Sequence, residues 1–250
     1  MLRALAILVA LSAAPLPAEA HLSAGEKRQT LILWTDANGT LTGYLRVPAP
    51  LLFGDTIAEA RASRMPLASP FLRTEARGVY ALRVPDTAQD RFRTRLSRAL
   101  SWRQDGRVLV PDVTAWRILP DARVSPPATR AAAQAELVEG QGAALVEFGH
   151  AYVAFLFELR DAAPLRAMSV QAGLPPLEAL PPEIRVTMRL KDLRGPAMIR
   201  TFEGQLTEPV FLPPVPAAET FRGAMLALLA AILLLLAVGV VARRPARSAA

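Results

Sequence analysis

Hydrophobic and polar residues alternate with period two along much of this chain. The alternation is cleanest in Ile184-Arg185-Val186-Thr187-Met188-Arg189-Leu190, where the apolar and polar sets separate without exception. A period of two places successive side chains on opposite faces of a strand, so one face belongs to a core and the other to solvent. Leu41 to Val47 has the same pattern, preceded by Leu31 to Thr35 and joined to it through Asp36-Ala37-Asn38-Gly39, whose Asn-Gly pair suits a tight hairpin. The same spacing predicts strands at Val79 to Val84, Arg107 to Val110, Thr114 to Leu119, Ala143 to Phe148, Tyr152 to Leu159, Ala167 to Val170 and Ala197 to Glu203. Tyr152 to Phe157 is apolar on both sides, as expected of a strand in the middle of a sheet or sandwich.

The period changes between Asp86 and Trp102. Ala88, Phe92, Leu96, Ala99 and Leu100 share one helical face there, with Arg91, Arg95 and Arg98 around the other. A second short helix is predicted from Asp55 to Arg64, with Asp55 as cap and Ile57 and Ala60 facing inward. The stretch from Pro120 to Glu136, with its Ser125-Pro126-Pro127 and Ala131-Ala132-Ala133 runs, lacks sheet periodicity and marks the best internal boundary. The expected architecture is mainly β. Two β-rich, sandwich-like lobes at 21–122 and 141–208 flank a linker at 123–140, and Pro209, Pro213, Pro214 and Pro216 make residues 209–222 a stiff stalk.

The two ends follow neither period. Met1-Leu2-Arg3 is a short positive segment, Ala4 to Ala14 is apolar, and Ala18-Glu19-Ala20 follows a Pro-Leu-Pro break, so residues 1–20 match a secretory signal peptide cleaved before His21. Ala224 to Ala242 is 19 residues without a charge, long enough as a helix for about 28 Å of hydrocarbon, so a single transmembrane helix is expected at 223–242. Arg243, Arg244 and Arg247 in the tail at 243–250 place that end in the cytoplasm by the positive-inside rule. The expected location is a bacterial inner membrane, with the N-terminal region in the periplasm.

Composition then removes whole classes of chemistry. The 250 residues include no cysteine and only two histidines, His21 and His150. Disulfides, thiolate metal sites and a cysteine nucleophile are thereby excluded, and a three-histidine zinc site cannot be built from one chain. A net charge of +7 suggests nucleic acid, but Arg3, Glu19 and the tail arginines lie outside the central region, which keeps 25 basic against 21 acidic residues. That is a mildly basic surface without a nucleic-acid motif, so no nucleic-acid partner is expected.

The order strand, Asn-Gly hairpin, strand, Leu45-Arg46-Val47-Pro48 with Leu51-Leu52, a basic amphipathic helix, and Gln104-Asp105-Gly106-Arg107 resembles the extracytoplasmic N-terminal region of HupE/UreJ-like membrane proteins. Ile184 to Leu190, a turn at Lys191 to Gly195, Ala197 to Glu203, and the closing Gly204 and Pro209 extend the likeness over residues 21 to 213. That family continues into several membrane helices associated with hydrogenase or urease accessory roles and with nickel transport. With one apolar span this chain cannot form a pore alone, so the resemblance implies a companion or sensor module. It supplies no catalytic residues.

Two candidate sites stand on the residues themselves. Cleavage before His21 would place an α-amino group and an imidazole on one residue, a chelating pair for Cu(II) or Ni(II), with His150 as a third ligand if the two converge. Arg91, Arg95 and Arg98 form a basic helix face suited to anionic lipid or an acidic partner, although packing across a sheet explains the same helix. Met65, Met168, Met188 and Met198 are scattered as core residues are. Nucleophile-elbow, phosphate-loop and β-lactamase patterns are absent, so no catalytic residue and no enzyme are expected. The expected function is a membrane-anchored accessory module that engages a membrane or periplasmic protein. A periplasmic Cu/Ni-binding protein and a structural cell-envelope protein are the alternatives.

Overall fold

A computed structural model of the chain describes residues 25–35, 40–75, 80–120, 125–138, 146–163, 166–174 and 184–214. Among them the protein is mainly β. The strands are β1 (Gly25–Thr35), β2 (Leu41–Pro48), β3 (Leu72–Thr74), β4 (Tyr80–Leu82), β5 (Leu100–Gln104), β6 (Arg107–Leu109), β7 (Asp112–Leu119), β8 (Val146–Glu147), β9 (Tyr152–Leu159), β10 (Met168–Ala172), β11 (Ile184–Asp192), β12 (Met198–Glu203) and β13 (Val210–Leu212). Between them lie the helices α1 (Ala49–Leu52), α2 (Gly54–Ser63), α3 (Gln89–Ser97) and α4 (Arg130–Val138).

Six strands form the largest sheet, in the order β12-β11-β1-β2-β9-β7, a second sheet runs β13-β10-β5-β6, and a third, small one runs β3-β4-β8. In the large sheet β1 and β11 pair in parallel and the other neighbours are antiparallel. One face of this sheet, carrying Leu31, Leu45, Val153 and Phe157, shares a core with Trp102, Val170 and Leu212 of the second sheet. The Trp102 and Phe157 rings meet across the gap with centroids 5.6 Å apart. On the opposite face, Ile32, Tyr44, Ala154 and Leu156 pack under Ala133 and Leu137 of α4. Ala133 and Leu137 are four residues apart and so share a helix face. This double cover explains the unbroken apolar run of β9, which lies between β2 and β7 with both faces out of water.

The expected division into lobes at 21–122 and 141–208 does not hold, because β1 and β2 from the first stretch are paired with β11 and β9 from the second. The linker expected at 123–140 contains α4, whose alanines and leucine provide the apolar stripe that a sheet face requires. Leu41 to Val47 was expected to turn one face to solvent, yet all of β2 is buried, since α4 covers the second face. Of the segment expected at Ala143 to Phe148, the described residues 146–148 hold β8, and the following turn carries the chain from the third sheet into β9 of the large one instead of closing a hairpin. The stalk expected from 209 begins as β13, which pairs with β10. The strands β3, β5 and β13 were not anticipated, each being short or hidden by a helix-like or proline-rich pattern.

Other expectations hold. The amphipathic segment after Asp86 opens with a 3-10 turn (Asp86–Ala88) and continues as α3, with Phe92 and Leu96 buried. The second helix is α2, with Ile57 buried, but it begins at Gly54, so Asp55 lies inside its first turn and Oδ1 accepts the adjacent Thr56 backbone N–H at 2.7 Å instead of capping the helix. The hairpin residues 36–39, the leader at 1–20, the stalk beyond 214, the span at 223–242 and the tail at 243–250 lie outside the described residues. Among the described residues no helix is long and apolar enough to cross a membrane.

One close approach fixes the spacing inside the sandwich. Gly43 of β2 pairs with Phe157 of β9, and a Cβ placed on Gly43 would lie 2.1 Å from the Phe157 ring. The ring occupies the side-chain space that glycine leaves open and reaches on to Trp102. We expect Gly43→Ala to cost about 1–3 kcal/mol through overpacking, measured as a lowered urea midpoint, with Phe157→Leu in the same chain recovering part of the loss.

Candidate functional site

Of the basic helix face, Arg95 does not belong to the surface. It lies under α2, where Nη1 and Nη2 donate to the Asp55 carboxylate at 2.9 and 3.0 Å, Nη1 also donates to the Leu52 carbonyl, and the guanidinium sits 4.8 Å from the Phe53 ring centroid. The expected set of Arg91, Arg95 and Arg98 is therefore reduced, with Arg91 and Arg98 exposed and Arg95 serving as a bolt between α2 and α3. Periodicity assigned Arg95 to the polar side correctly, but it could not show that α2 supplies an acid there. Burial works against the Asp55 carboxylate, yet the hydrogen bonds from Arg95 and the Thr56 N–H, together with the Arg95 charge, outweigh it and hold the pKa below the ordinary carboxylate range.

The imidazole of His150 is exposed and lies 3.8 Å from Glu147 in the turn before β9. The turn is closed by the His150 and Ala151 backbone N–H groups, which donate to the Glu147 carbonyl at 3.0 and 2.9 Å. The buried Lys27, near the start of β1, donates from Nζ to the Gly149 carbonyl at 3.4 Å. The beginning of the first strand therefore lies beside the His150 turn. His21 itself lies outside the described residues, and among those described no three His, Asp or Glu side chains are grouped to hold a metal.

Sequence patterning missed two buried charge clusters. On β2, Arg46 is 2% exposed. Its Nη2 donates to Glu136 Oε1 of α4 at 2.8 Å, its Nε donates to the Tyr44 hydroxyl at 3.0 Å, and that hydroxyl donates to the same Glu136 oxygen at 2.9 Å. Burial pushes the Tyr44 phenol well above its ordinary pKa, so it remains a neutral donor. Arg117 adds a hydrogen bond to the Glu136 carbonyl at 2.8 Å. Each group in this cluster has a partner, as charges in an apolar layer require, and the arrangement seats α4 on the sheet. The second cluster is Arg194 with Asp192, joined through Nε and Nη2 at 2.9 and 2.7 Å. Arg194 Nη2 also donates to the Pro213 carbonyl at 3.1 Å, tying the end of β13 to the end of β11. Its Nη1 is buried without a hydrogen-bond partner among the described residues.

The outer face of the second sheet carries exposed apolar side chains. Strand pairing sets Phe211, Ser169, Arg103 and Val108 in one cross-strand row. Alternation sends their neighbours Leu212, Trp102 and Leu109 into the core. Phe211 is 72% exposed, Val108 59%, and Val110, two residues further on, 75%. Large apolar side chains collected on one sheet face mark an interaction surface more often than apolar residues scattered singly.

Compared with known proteins, the chain matches no family model, no curated protein and no solved structure. Its site assignments therefore rest on the geometry above.

Two outcomes follow from the charge clusters. Glu136→Ala leaves Arg46 charged in an apolar layer and is expected to cost about 3 kcal/mol, whereas Arg46→Met with Glu136→Met recovers most of it; chemical denaturation of the three variants checks this. The folded pKa of Asp55 is depressed, so its contribution to stability is fully present above the unfolded value of 3.8 and is lost as pH falls through the lower folded value. Asp55→Asn should therefore flatten the acid limb of the stability curve and leave the slope at neutral pH unchanged.

Proposed function

We propose that the chain is a single-pass inner-membrane protein whose β-rich region is held in the periplasm, where it engages a membrane or periplasmic protein and assists a transporter or metalloenzyme assembly system. The observation that carries this reading is the order of segments. A leader at 1–20 precedes the folded residues, and an uncharged 19-residue run at Ala224 to Ala242 with arginines immediately behind it follows them. The likeness to the extracytoplasmic region of HupE/UreJ-like proteins supports an accessory role over a structural one, since there such a region accompanies a membrane machine. Mild crosslinking of the tagged full chain in its native membranes, followed by mass spectrometry, should return the same multi-span transporter or enzyme subunit reproducibly. Recovery of the protein alone would remove the partner.

A second reading is favoured by the contact between Lys27 and Gly149. His21 precedes Lys27 by six residue steps, a reach of about 20 Å when extended, so a new N-terminal His21 is within range of His150. In this reading the α-amino group and imidazole of His21, with the imidazole of His150, take Cu(II) or Ni(II). Titration of the mature protein with Cu(II), followed by electron paramagnetic resonance, tests it. His21→Ala and His150→Ala should each weaken binding by more than tenfold, about 1.4 kcal/mol, and unchanged affinity in both would end this reading.

A further inference from the structure

We infer that the outer face of the second sheet, with Phe211 and Val108 on it, Arg103 between them and Val110 just past the end of β6, rests on the anionic lipid surface of the membrane that anchors the chain. This rests on the membrane tether proposed above and adds the side of the fold that meets the bilayer.

Three observations choose this face and this occupant. The first is composition. The positions that pairing places on this face are Ser101, Arg103, Val108, Ser169, Gln171 and Phe211, none of them acidic. Arg107 and Arg166 stand at the rim beside the β5–β6 turn, where Asp105 is already paired with Arg166 at 2.7 Å. Aliphatic and aromatic side chains ringed by arginine suit a headgroup layer, where the apolar groups enter the acyl boundary and guanidinium groups meet phosphates.

The second is where the chain leaves the fold. Phe211 lies on β13, and the described residues end at Pro214. Nine residues, 215–223, remain before the apolar run, and fully extended they reach at most about 32 Å. Arg194 holds the Pro213 carbonyl, and Arg200 Nη1 reaches the Phe211 carbonyl at 3.5 Å, so the exit is fixed to the sandwich at the edge of this face. A short tether starting there keeps the face near the lipid more closely than any surface at the far side of the molecule.

The third is the contrast with the other side. α4 covers the β2, β9 and β7 half of the large sheet's outer face. The β1, β11 and β12 half carries Glu26, Arg28, Thr187, Arg189, Lys191 and Glu203 around one exposed apolar side chain, Ile199, a predominantly polar set suited to water. Phe211, Val108 and Val110 have no comparable reason to face water.

Because the chain has no cysteine, single labels are clean probes. The full chain would be reconstituted into phosphatidylcholine vesicles with and without phosphatidylglycerol, carrying an environment-sensitive fluorophore on Val108→Cys or, as control, on Val138→Cys at the exposed end of α4. Nitroxide-bearing headgroups should quench the Val108→Cys label several-fold more than the control in anionic vesicles. Arg103→Glu should reduce that difference while the chain stays in the vesicle fraction. Equal quenching at both positions would overturn the inference and leave the tether standing. Release of the chain by alkaline carbonate would overturn the tether and the inference together. Spin–spin coupling between labels at Val108→Cys on separate chains would assign the face to a second copy and overturn the lipid contact.

Discussion

The sandwich depends on the Phe157 ring filling the space above Gly43. Strand β9 is the only described strand with neighbours from both the start and the middle of the chain that also carries the aromatic link to the second sheet. At Gly43 the missing side chain leaves room for the distal atoms of the Phe157 ring, which also packs against Trp102. A larger residue at either position would change the separation of the sheets, and close-packed interiors absorb such changes poorly. The same strand places Phe155, Ala154 and Leu156 on alternate sides, so the core under the second sheet and the core under α4 are both attached to it.

The second constraint is polar. Burying β2 on both faces brings Arg46 and Tyr44 under α4, and the structure meets the cost of desolvation by having Glu136 accept from both. Such a cluster adds little to net stability, because two charges leave water to form it. Its effect is positional, since α4 has one setting on the sheet in which Glu136 meets both donors. Arg194 acts in the same manner at the other end, joining β11 to the exit of β13 through Asp192 and Pro213.

Much of the β content was legible because alternation is a local signal: β2, β7, β9, β11 and β12 fall where the pattern put them, while β1 extends the expected Leu31 to Thr35 back to Gly25. Pairing was not legible. The linker between supposed lobes carried the alanine stripe of α4, and a break in sheet periodicity looks the same whether it separates two units or inserts a helix across one. Arg46 and Glu136 stand ninety residues apart, and only the fold shows that one answers the other. Arg95 followed the helical pattern correctly, but its partner Asp55 lies on another helix. The apolar face of the second sheet escaped because β13 sits among prolines that suggested a stalk, while Val108 and Phe211 become neighbours in a row only once β10 and β5 lie between them.

These features join the ends of the chain to its middle. The folded residues form shared sheets whose last described strand, β13, precedes the apolar run in the chain, so under the proposed tether the end of β13 sets the orientation of the sandwich. The central claim is that this region is held outside the cytoplasm by one span. It is tested most directly with single cysteines at Met65, which is 63% exposed in the folded region, and at Ser248 in the tail, by adding a membrane-impermeant maleimide to spheroplasts. The account predicts that Met65→Cys is labelled in intact spheroplasts and Ser248→Cys only after the membrane is broken. Labelling of both before lysis, or of neither, would contradict it.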